Sequence, residues 1–271
     1  MQLWRYKTKK GRGHRVRIPH EVQQAEFIGA SQFGWSSTNW SGYAVSSSDK
    51  GAYSSVSGSW TVPAVKAPPI QPVTPWQKVL QFILSLLGIS TGKDVYSASW
   101  IGIDGFNNSN LIQTGTAQNY VNGKTQYYAW WEILPNPETV IDPSKYPVNA
   151  GDKMQANISK QSDGTWTIQL IDWTQGWTFA KKGVNYTGPQ TSAEWIEEAP
   201  EVNLGIAALA DYGETAFQSC MVNGGNPQLT AGDGGVMYQN NQVVSIPSLP
   251  GPQQNDFNIA YGSQMPKPPS S

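Results

Sequence analysis

One glutamate stands out among the residues that could do acid–base chemistry, because aromatic side chains flank it. Glu132 lies in the segment TQYYAWWEIL, residues 125–134. If this segment is an extended strand, alternate side chains share a face, so Tyr128 and Trp130 lie beside Glu132. A carboxylate on such a face could serve a bound substrate as general acid or base. The pattern by itself favours a simpler interpretation, in which Glu132 meets water at a sheet edge and the aromatics belong to the core.

A glutamine in a neighbouring segment is the second candidate. Gln113 lies within LIQTGTAQ, residues 111–118, and shares one strand face with Leu111 and Gly115. An amide buried among apolar residues needs hydrogen-bond partners, since an unpaired buried polar group is costly. On pattern alone, a structural amide with satisfied hydrogen bonds is again the better interpretation.

Several kinds of site are excluded from the body of the chain by composition. The chain has one cysteine, Cys220, and its two histidines, His14 and His20, lie in the first 20 residues. An intramolecular disulfide, a histidine-based triad, a Cys–His pair and an imidazole metal site are therefore excluded there. Any hydrolysis must use carboxylates, amides, hydroxyls or lysines, and we expect neither a cofactor nor a metal.

The low content of charged residues has two interpretations. Charged residues make up 14% of the chain, against a usual value of about 25%. Such a surface suits an acidic medium, where protonated carboxylates leave few cations to repel one another and few ion pairs are lost. It equally suits a secreted β-protein with a Ser/Thr/Asn/Gln surface. The formal net charge of −1 argues against nucleic acid as the main partner.

The N-terminal residues differ in charge from the rest of the chain. Residues 1–20 hold seven of the 18 Lys and Arg residues and no acid, whereas the remainder has 11 basic and 19 acidic residues. We predict a basic pro-segment or flexible tail over residues 1–35; a nucleic-acid arm is the alternative. No apolar run like that of a secretory signal follows the basic residues. We nevertheless expect an extracellular protein, with the signal removed or another route of export.

From residue 39 onward the sequence is typical of an all-β protein. Short runs rich in Val, Thr, Tyr and Trp alternate with Gly, Asn, Asp and Pro. The triplet SDG at residues 162–164 and the pair NN at 240–241 predict hairpins. So many short strands indicate one sandwich or barrel, which we place at residues 36–262. Residues 263–271 predict a disordered tail.

Residues 66–95 interrupt the strand pattern and predict an insertion. An apolar stretch with a narrow polar stripe predicts a helix at about residues 75–88, with Pro75 in its first turn and Gly88 at its end. The stretch is too short to span a bilayer, which needs about 20 apolar residues. We expect it to pack on the sandwich; the alternatives are a substrate lid, or a contact with another subunit or membrane surface.

Three motifs in order resemble those of a known enzyme family. They are SASWIGIDG at 97–105, LIQTG at 111–115 and YYAWWEILP at 127–135. The triple WxGIDG, LxQTG and WxExxP is similar to that of the eqolisin family of glutamic peptidases. Further similar segments include NWSGYAV at 39–45 and SAEWIEE at 192–198. The resemblance spans residues 39–217.

This resemblance implies a fold and a set of site residues. The fold would be a concanavalin-like sandwich of two antiparallel sheets, with the substrate cleft on one concave face. The catalytic glutamine would be Gln113 and the catalytic glutamate Glu132. By the resemblance, Trp40 and Asp104 would support the site. We add Trp100, Tyr128 and Trp130 as candidates to bind substrate or support the site.

The implied activity is an acid-acting endopeptidase that hydrolyses polypeptides as a monomer. Glu132 would take a proton from water and return it to the leaving amine, while Gln113 donates N–H to the oxyanion. A neutral amide, unlike a second carboxylate, lets the glutamate stay ionised in acid. The chain departs from the fungal pattern in its missing paired cysteines, the 66–95 insertion and the basic N-terminus.

A carbohydrate-binding module or glycosidase on the same kind of sandwich is the alternative function. Many aromatic residues and few charges suit stacking against sugars. A glycosidase needs two carboxylates about 5–10 Å apart, and Gln113 cannot serve as one of them. Digestion of casein at acid pH distinguishes the two functions.

Overall fold

The computed structural model describes residues 15–16, 32–68, 76 and 93–270, and these form almost only strands. One 3₁₀ turn, Ala231–Asp233, follows β15. The strands in chain order are β1 (Arg15–Val16), β2 (Trp35–Ser37), β3 (Trp40–Ser46), β4 (Ser55–Thr61), β5 (Val95–Ile103), β6 (Ile112–Val121), β7 (Lys124–Ile133), β8 (Thr139–Val140), β9 (Lys153–Lys160), β10 (Trp166–Asp172), β11 (Trp177–Val184), β12 (Ser192–Glu198), β13 (Glu201–Val202), β14 (Gly205–Ile206), β15 (Glu214–Val222), β16 (Gly234–Gln239), β17 (Gln242–Pro247) and β18 (Phe257–Tyr261).

Most strands join one continuous hydrogen-bonded array. Its order is β11-β10-β9-β4-β15-β18-β17-β16-β3-β12-β5-β6-β7-β8, with β2 added parallel to β16. The array folds over, so that β4, β9 and β10 pack against β5, β6 and β12. A separate small sheet has the order β1-β13-β14. The predicted all-β sandwich of antiparallel sheets is confirmed.

The main core fills the space between the two layers. It is built from every second residue of the strands, those whose side chains point inward. Examples are Ile101 of β5, Ile158 of β9, Ile168 of β10 and Trp195 of β12. Because successive strand residues point to opposite faces, the neighbours of these core residues lie on the outer side of each layer. The predicted hairpins at residues 162–164 and 240–241 join β9 to β10 and β16 to β17.

The layer containing β3, β12, β5, β6 and β7 is buried on both sides. Its second side carries a separate cluster that includes Trp40, Trp100, Tyr128, Trp130 and Ile196. We call this side of the layer the aromatic face. All nine residues of β5 are buried, as expected for a strand covered on both sides.

The predicted helix and the predicted C-terminal tail lie at the margins of the described sandwich residues. Apart from the exposed Trp76, the predicted helix at residues 75–88 lies outside the described residues. Residues 263–270 carry no helix or strand, and the Asn258 side chain donates to the Lys267 carbonyl. No helix within the described ranges is long and apolar enough to cross a membrane.

Candidate active site

Gln113 and Glu132 form a direct side-chain pair on the aromatic face. They are cross-strand partners in the register of β6 with β7. The Gln113 Nε2 atom donates to Glu132 Oε2 at 2.7 Å, and both side chains are fully buried. A short contact between an amide donor and a carboxylate is typical of a charge-assisted hydrogen bond. The two residues predicted from the sequence are therefore adjacent, on one face of one sheet.

Close packing between β5 and β6 fixes the position of Gln113. Gly115 lies opposite Trp100, and a Cβ atom at Gly115 would come within 2.2 Å of the Ser99 carbonyl oxygen. Only glycine permits this approach. On the opposite side of β6, the Thr114 hydroxyl donates to the Trp130 carbonyl at 2.7 Å. These contacts hold β6 in the register that brings Gln113 beside Glu132.

A second glutamate of the aromatic face is held by a tryptophan. The Trp100 Nε1 atom donates to Glu198 Oε2 at 2.8 Å. Trp40, the register partner of Glu198, packs edge-on against Trp100 with ring centroids 4.8 Å apart. Glu198 lies on β12, which is separated from Gln113 on β6 by β5 alone. The predicted supporting residues Trp40 and Trp100 thus surround a carboxylate for which sequence reasoning predicted no role.

Tyr128 and Trp130 lie on the same face as the reactive pair. Both are buried in the aromatic cluster, whereas the intervening Ala129 belongs to the main core. The alternation predicted for residues 125–134 is therefore correct. Trp130 is the next residue on the same face of β7 before Glu132, and Tyr128 lies one same-face position further along the strand.

Asp104 has structural partners that account for most of its hydrogen-bonding capacity. It follows β5 with a positive φ of 69°, and it is fully buried. Its carboxylate accepts hydrogen bonds from the backbone N–H groups of Gln190 and Thr191, from the Tyr186 hydroxyl and from the Asn108 amide. Burial and the adjacent Asp104 carboxylate raise the pKa of Tyr186. Asp104 therefore fastens residues 186–191 to the end of β5.

Glu194 is a third buried glutamate on the aromatic face. It lies in the cross-strand row of Gly102, Gln113 and Glu132. Burial raises its pKa well above the usual range; the Ser192 hydroxyl opposes this shift, and the Asp104 carboxylate adds to it. The segment SAEWIEE contains a usable signal for this arrangement, because the spacing of Glu194 and Glu198 places both on one strand face.

We find no metal centre within the described part of the chain. No group of three or more His, Cys, Asp or Glu side chains is close enough there to hold an ion. Cys220 is buried and forms no disulfide with a described residue.

The family follows from comparison with known proteins. The model of the Peptidase A4 family matches residues 38–256. The chain belongs to the Peptidase A4 family. Aspergillopepsin-2 of Aspergillus niger is 28% identical over 228 residues, which cover 79% of this chain and 75% of that protein. The predicted membership among the eqolisins, and with it a glutamic endopeptidase, is confirmed.

Solved structures of two glutamic peptidases share the fold of this Peptidase A4 protein. Scytalido-glutamic peptidase, solved with a transition state analog inhibitor, aligns with a TM-score of 0.62 and 23% identity, covering 83% of this chain and 98% of that one. Aspergilloglutamic peptidase from Aspergillus niger aligns with a TM-score of 0.52 and 21% identity, covering 62% and 99%. The chain is a peptide-bond hydrolase, and the carbohydrate-binding alternative has no support among these relatives.

Proposed function

We propose that the chain is an acid-acting endopeptidase whose reaction is carried by Glu132 and Gln113. The observation that supports this assignment is the buried 2.7 Å contact between the two side chains on a face lined by tryptophans. Peptide hydrolysis needs a base for the attacking water, a donor for the oxyanion and a proton for the leaving amine. The pair can supply all three.

Glu132 is assigned as the general base and acid. In its ionised form it removes a proton from water as the water attacks the peptide carbonyl. The same proton then passes to the nitrogen of the leaving amine, which restores the carboxylate. A well-placed acid–base group contributes about 10²–10⁴ in rate.

Gln113 is assigned as the oxyanion donor. Its amide has two N–H bonds, and one of them is already directed at Glu132. The second is available to the developing oxyanion. The Oε1 atom is buried and accepts no hydrogen bond from any described residue, so it can orient the attacking water. Because amide and carboxylate touch directly, this water lies beside the pair rather than between its members.

Action in acid follows from the residue types. A histidine base would be protonated and inactive at low pH, and both histidines lie in the first 20 residues. The amide of Gln113 carries no charge, so it adds no like-charge repulsion to the Glu132 carboxylate. A second carboxylate in its place would repel the first and force the pair to hold a proton.

A second division of roles is favoured by one specific observation. Glu132 Oε2 already accepts the Gln113 N–H, so Glu132 is well placed to orient that amide. Glu198, held by the Trp100 indole on the same face, is then a second carboxylate able to act as base. In this arrangement Glu132 is a positioning residue and Gln113 keeps its role.

Cleavage of a quenched fluorescent peptide between about pH 2 and 7 tests both arrangements. We compare Glu132→Gln, Glu198→Gln and Gln113→Met with Glu214→Gln, which alters an exposed glutamate of β15. A loss of about 10²–10⁴ in kcat for Glu132→Gln, with a smaller loss for Glu198→Gln, supports the primary assignment. The reverse order transfers the base to Glu198. Wild-type activity in both glutamate variants, or in Gln113→Met, overturns the site.

We further propose that the basic N-terminal residues form a pro-segment of an extracellular enzyme that acts on polypeptides as a monomer. The backbone of Arg15–Val16 pairs with β13, which starts three residues after Glu198. The basic charge of residues 1–20 complements the acidic remainder of the chain. Phe33 and Trp35 are core residues, so the pro-segment that we propose ends before residue 33, short of the predicted boundary at residue 35.

Deletion of residues 1–31 tests the pro-segment. The shortened enzyme should be active at once in acid, whereas the full chain should gain activity only after incubation at low pH, when acidic partners become protonated. Equal activity of both forms at each pH, without a delay, contradicts a pro-segment. Casein is a suitable substrate because it offers many cleavage sites.

A further inference from the structure

Two buried aspartates lie outside the aromatic face. Asp152 immediately precedes β9, and Asp172 ends β10, the neighbour of β9. Asp172 is fully buried and Asp152 is 3% exposed. Neither residue has a part in the peptidase reaction proposed above. Two buried carboxyl groups close together require an explanation, because burial strongly disfavours an unpaired charge.

Gln175 binds both carboxyl groups and so places them next to each other. Its backbone N–H donates to Asp172 Oδ1 at 2.9 Å, and its side-chain Nε2 donates to Asp152 Oδ1 at 3.0 Å. Asp172 Oδ1 also accepts the Thr174 N–H at 2.8 Å, while Asp152 Oδ2 accepts the Asn149 N–H at 2.7 Å. Three of the four carboxyl oxygens thus have N–H donors.

The fourth oxygen, Asp172 Oδ2, is buried and has no such donor among the described residues. The ionisable side chains of the elements packed around it point to solvent or are half-buried: Lys153 on β9, Lys181 and Lys182 on β11, and Asp142, Lys145 and Tyr146 in the loop before Asp152. Among the described residues, neither Asp152 nor Asp172 forms an ion pair with a basic side chain. Asp152 is the titratable group that interacts with the Asp172 carboxyl, both through its charge and through a side-chain hydrogen bond.

We propose that Asp152 and Asp172 share one proton in the folded protein and act as a pH-sensitive latch on the turn at residues 173–176. Asp172 carries the proton on Oδ2 and donates it to Asp152, which accepts it together with the N–H groups of Asn149 and Gln175. All four oxygens then have a hydrogen-bond partner. The latch is closed in acid and opens as the pH rises.

The direction of the effect follows from proton linkage. Burial raises the pKa of Asp172, the Asp152 carboxylate raises it further, and the N–H groups of Gln175 and Thr174 oppose the rise. The folded protein thus retains a proton that the unfolded chain releases at its ordinary pKa of about 3.9. The contribution of this proton to the free energy of unfolding is fully present below that value. It is lost as the pH rises from there through the raised pKa of Asp172 in the folded protein. One proton changes the unfolding constant about tenfold per pH unit in this window.

This inference goes beyond the proteolytic function, because it concerns where the fold itself survives. An endopeptidase that loses stability on neutralisation confines its own lifetime to the acidic medium in which it works. The latch is separate from the catalytic pair, so it can be removed without changing the reaction.

The variant Asp172→Asn tests the latch. An asparagine amide can donate to Asp152 at every pH while its oxygen accepts the two turn N–H groups, so it imitates the protonated aspartate. We expect an unchanged thermal midpoint near about pH 3, a higher midpoint than wild type at about pH 6–7, and unchanged peptide cleavage in acid. In the wild type, the shared proton makes the unfolding constant rise about tenfold per pH unit within this window. The variant Asp172→Asn should lack this contribution.

Two further variants and one direct measurement serve as controls. Asp163→Asn alters the exposed turn at the other end of the same strand pair, where hydrogen bonds from Thr165 lower the pKa of Asp163, so it should not flatten the slope. Asp152→Asn should flatten the slope but lower the midpoint even in acid, because an amide oxygen cannot replace both carboxylate oxygens. Carboxyl ¹³C NMR of the wild type should show Asp172 titrating above the ordinary range. A wild-type slope in Asp172→Asn, or an ordinary titration of Asp172, overturns the proposal.

Discussion

Replacing Gln113 by glutamate puts two carboxyl groups where the protein has one carboxyl and one neutral amide. The 2.7 Å contact and the complete burial of both side chains leave no room for the charges to separate. The variant therefore converts the pair into a dyad that must hold a proton. The matched control is Gln113→Met, which keeps the length of the side chain and removes its hydrogen bonds.

The magnitude follows from the geometry. Two carboxylates whose charge centres lie about 4 Å apart repel each other by about 4 kcal/mol at an effective dielectric constant of about 20. At about 1.4 kcal/mol per unit, this repulsion raises the second apparent pKa of the pair by about three units. The dyad should thus keep one proton from about pH 4 to about pH 7.

We expect the singly protonated dyad to retain part of the activity, since the protonated carboxyl introduced at position 113 can replace the amide as oxyanion donor. Gln113→Met should lose about 10²–10³ in kcat, as expected when an oxyanion donor is removed. The profile of kcat/KM against pH for Gln113→Glu should show a new fall toward neutral pH as the second proton leaves. A wild-type pH profile in Gln113→Glu would refute the direct contact, and wild-type activity in Gln113→Met would refute the role of the amide.

Two other predictions concern the scaffold. Asp104→Asn leaves one acceptor oxygen for the donors that share two oxygens in the wild type. At least one charge-assisted hydrogen bond, worth about 1.5–3 kcal/mol, is then lost, and the thermal midpoint at about pH 4 should fall clearly. An unchanged midpoint would mean that these hydrogen bonds do not hold the loop. Gly115→Ala places a methyl group 2.2 Å from a backbone oxygen and should lower both the midpoint and the yield of active enzyme. Its control, Gly205→Ala, has open space around the new methyl group and should stay within about 0.5 kcal/mol of wild type.

Much of the strand structure could be predicted from local patterns. The alternation in residues 125–134 correctly separates Tyr128 and Trp130 from Ala129, and the turn residues at 162–164 correctly predict the β9–β10 hairpin. The motifs around Gln113 and Glu132 were sufficient to identify the family. These features are local, because the two-residue period of a strand and the conformational preferences of turn residues are properties of short segments.

The sequence by itself therefore determined the all-β class, the faces of individual strands and the enzyme family. Only the tertiary structure decided which residues meet across strands. Glu198 joins the aromatic face because β12 pairs with β5, and Asp152 faces Asp172 because β9 pairs with β10. Periodicity fixes the side to which a residue points, whereas the register of one strand against another depends on hydrogen bonds and packing between distant segments.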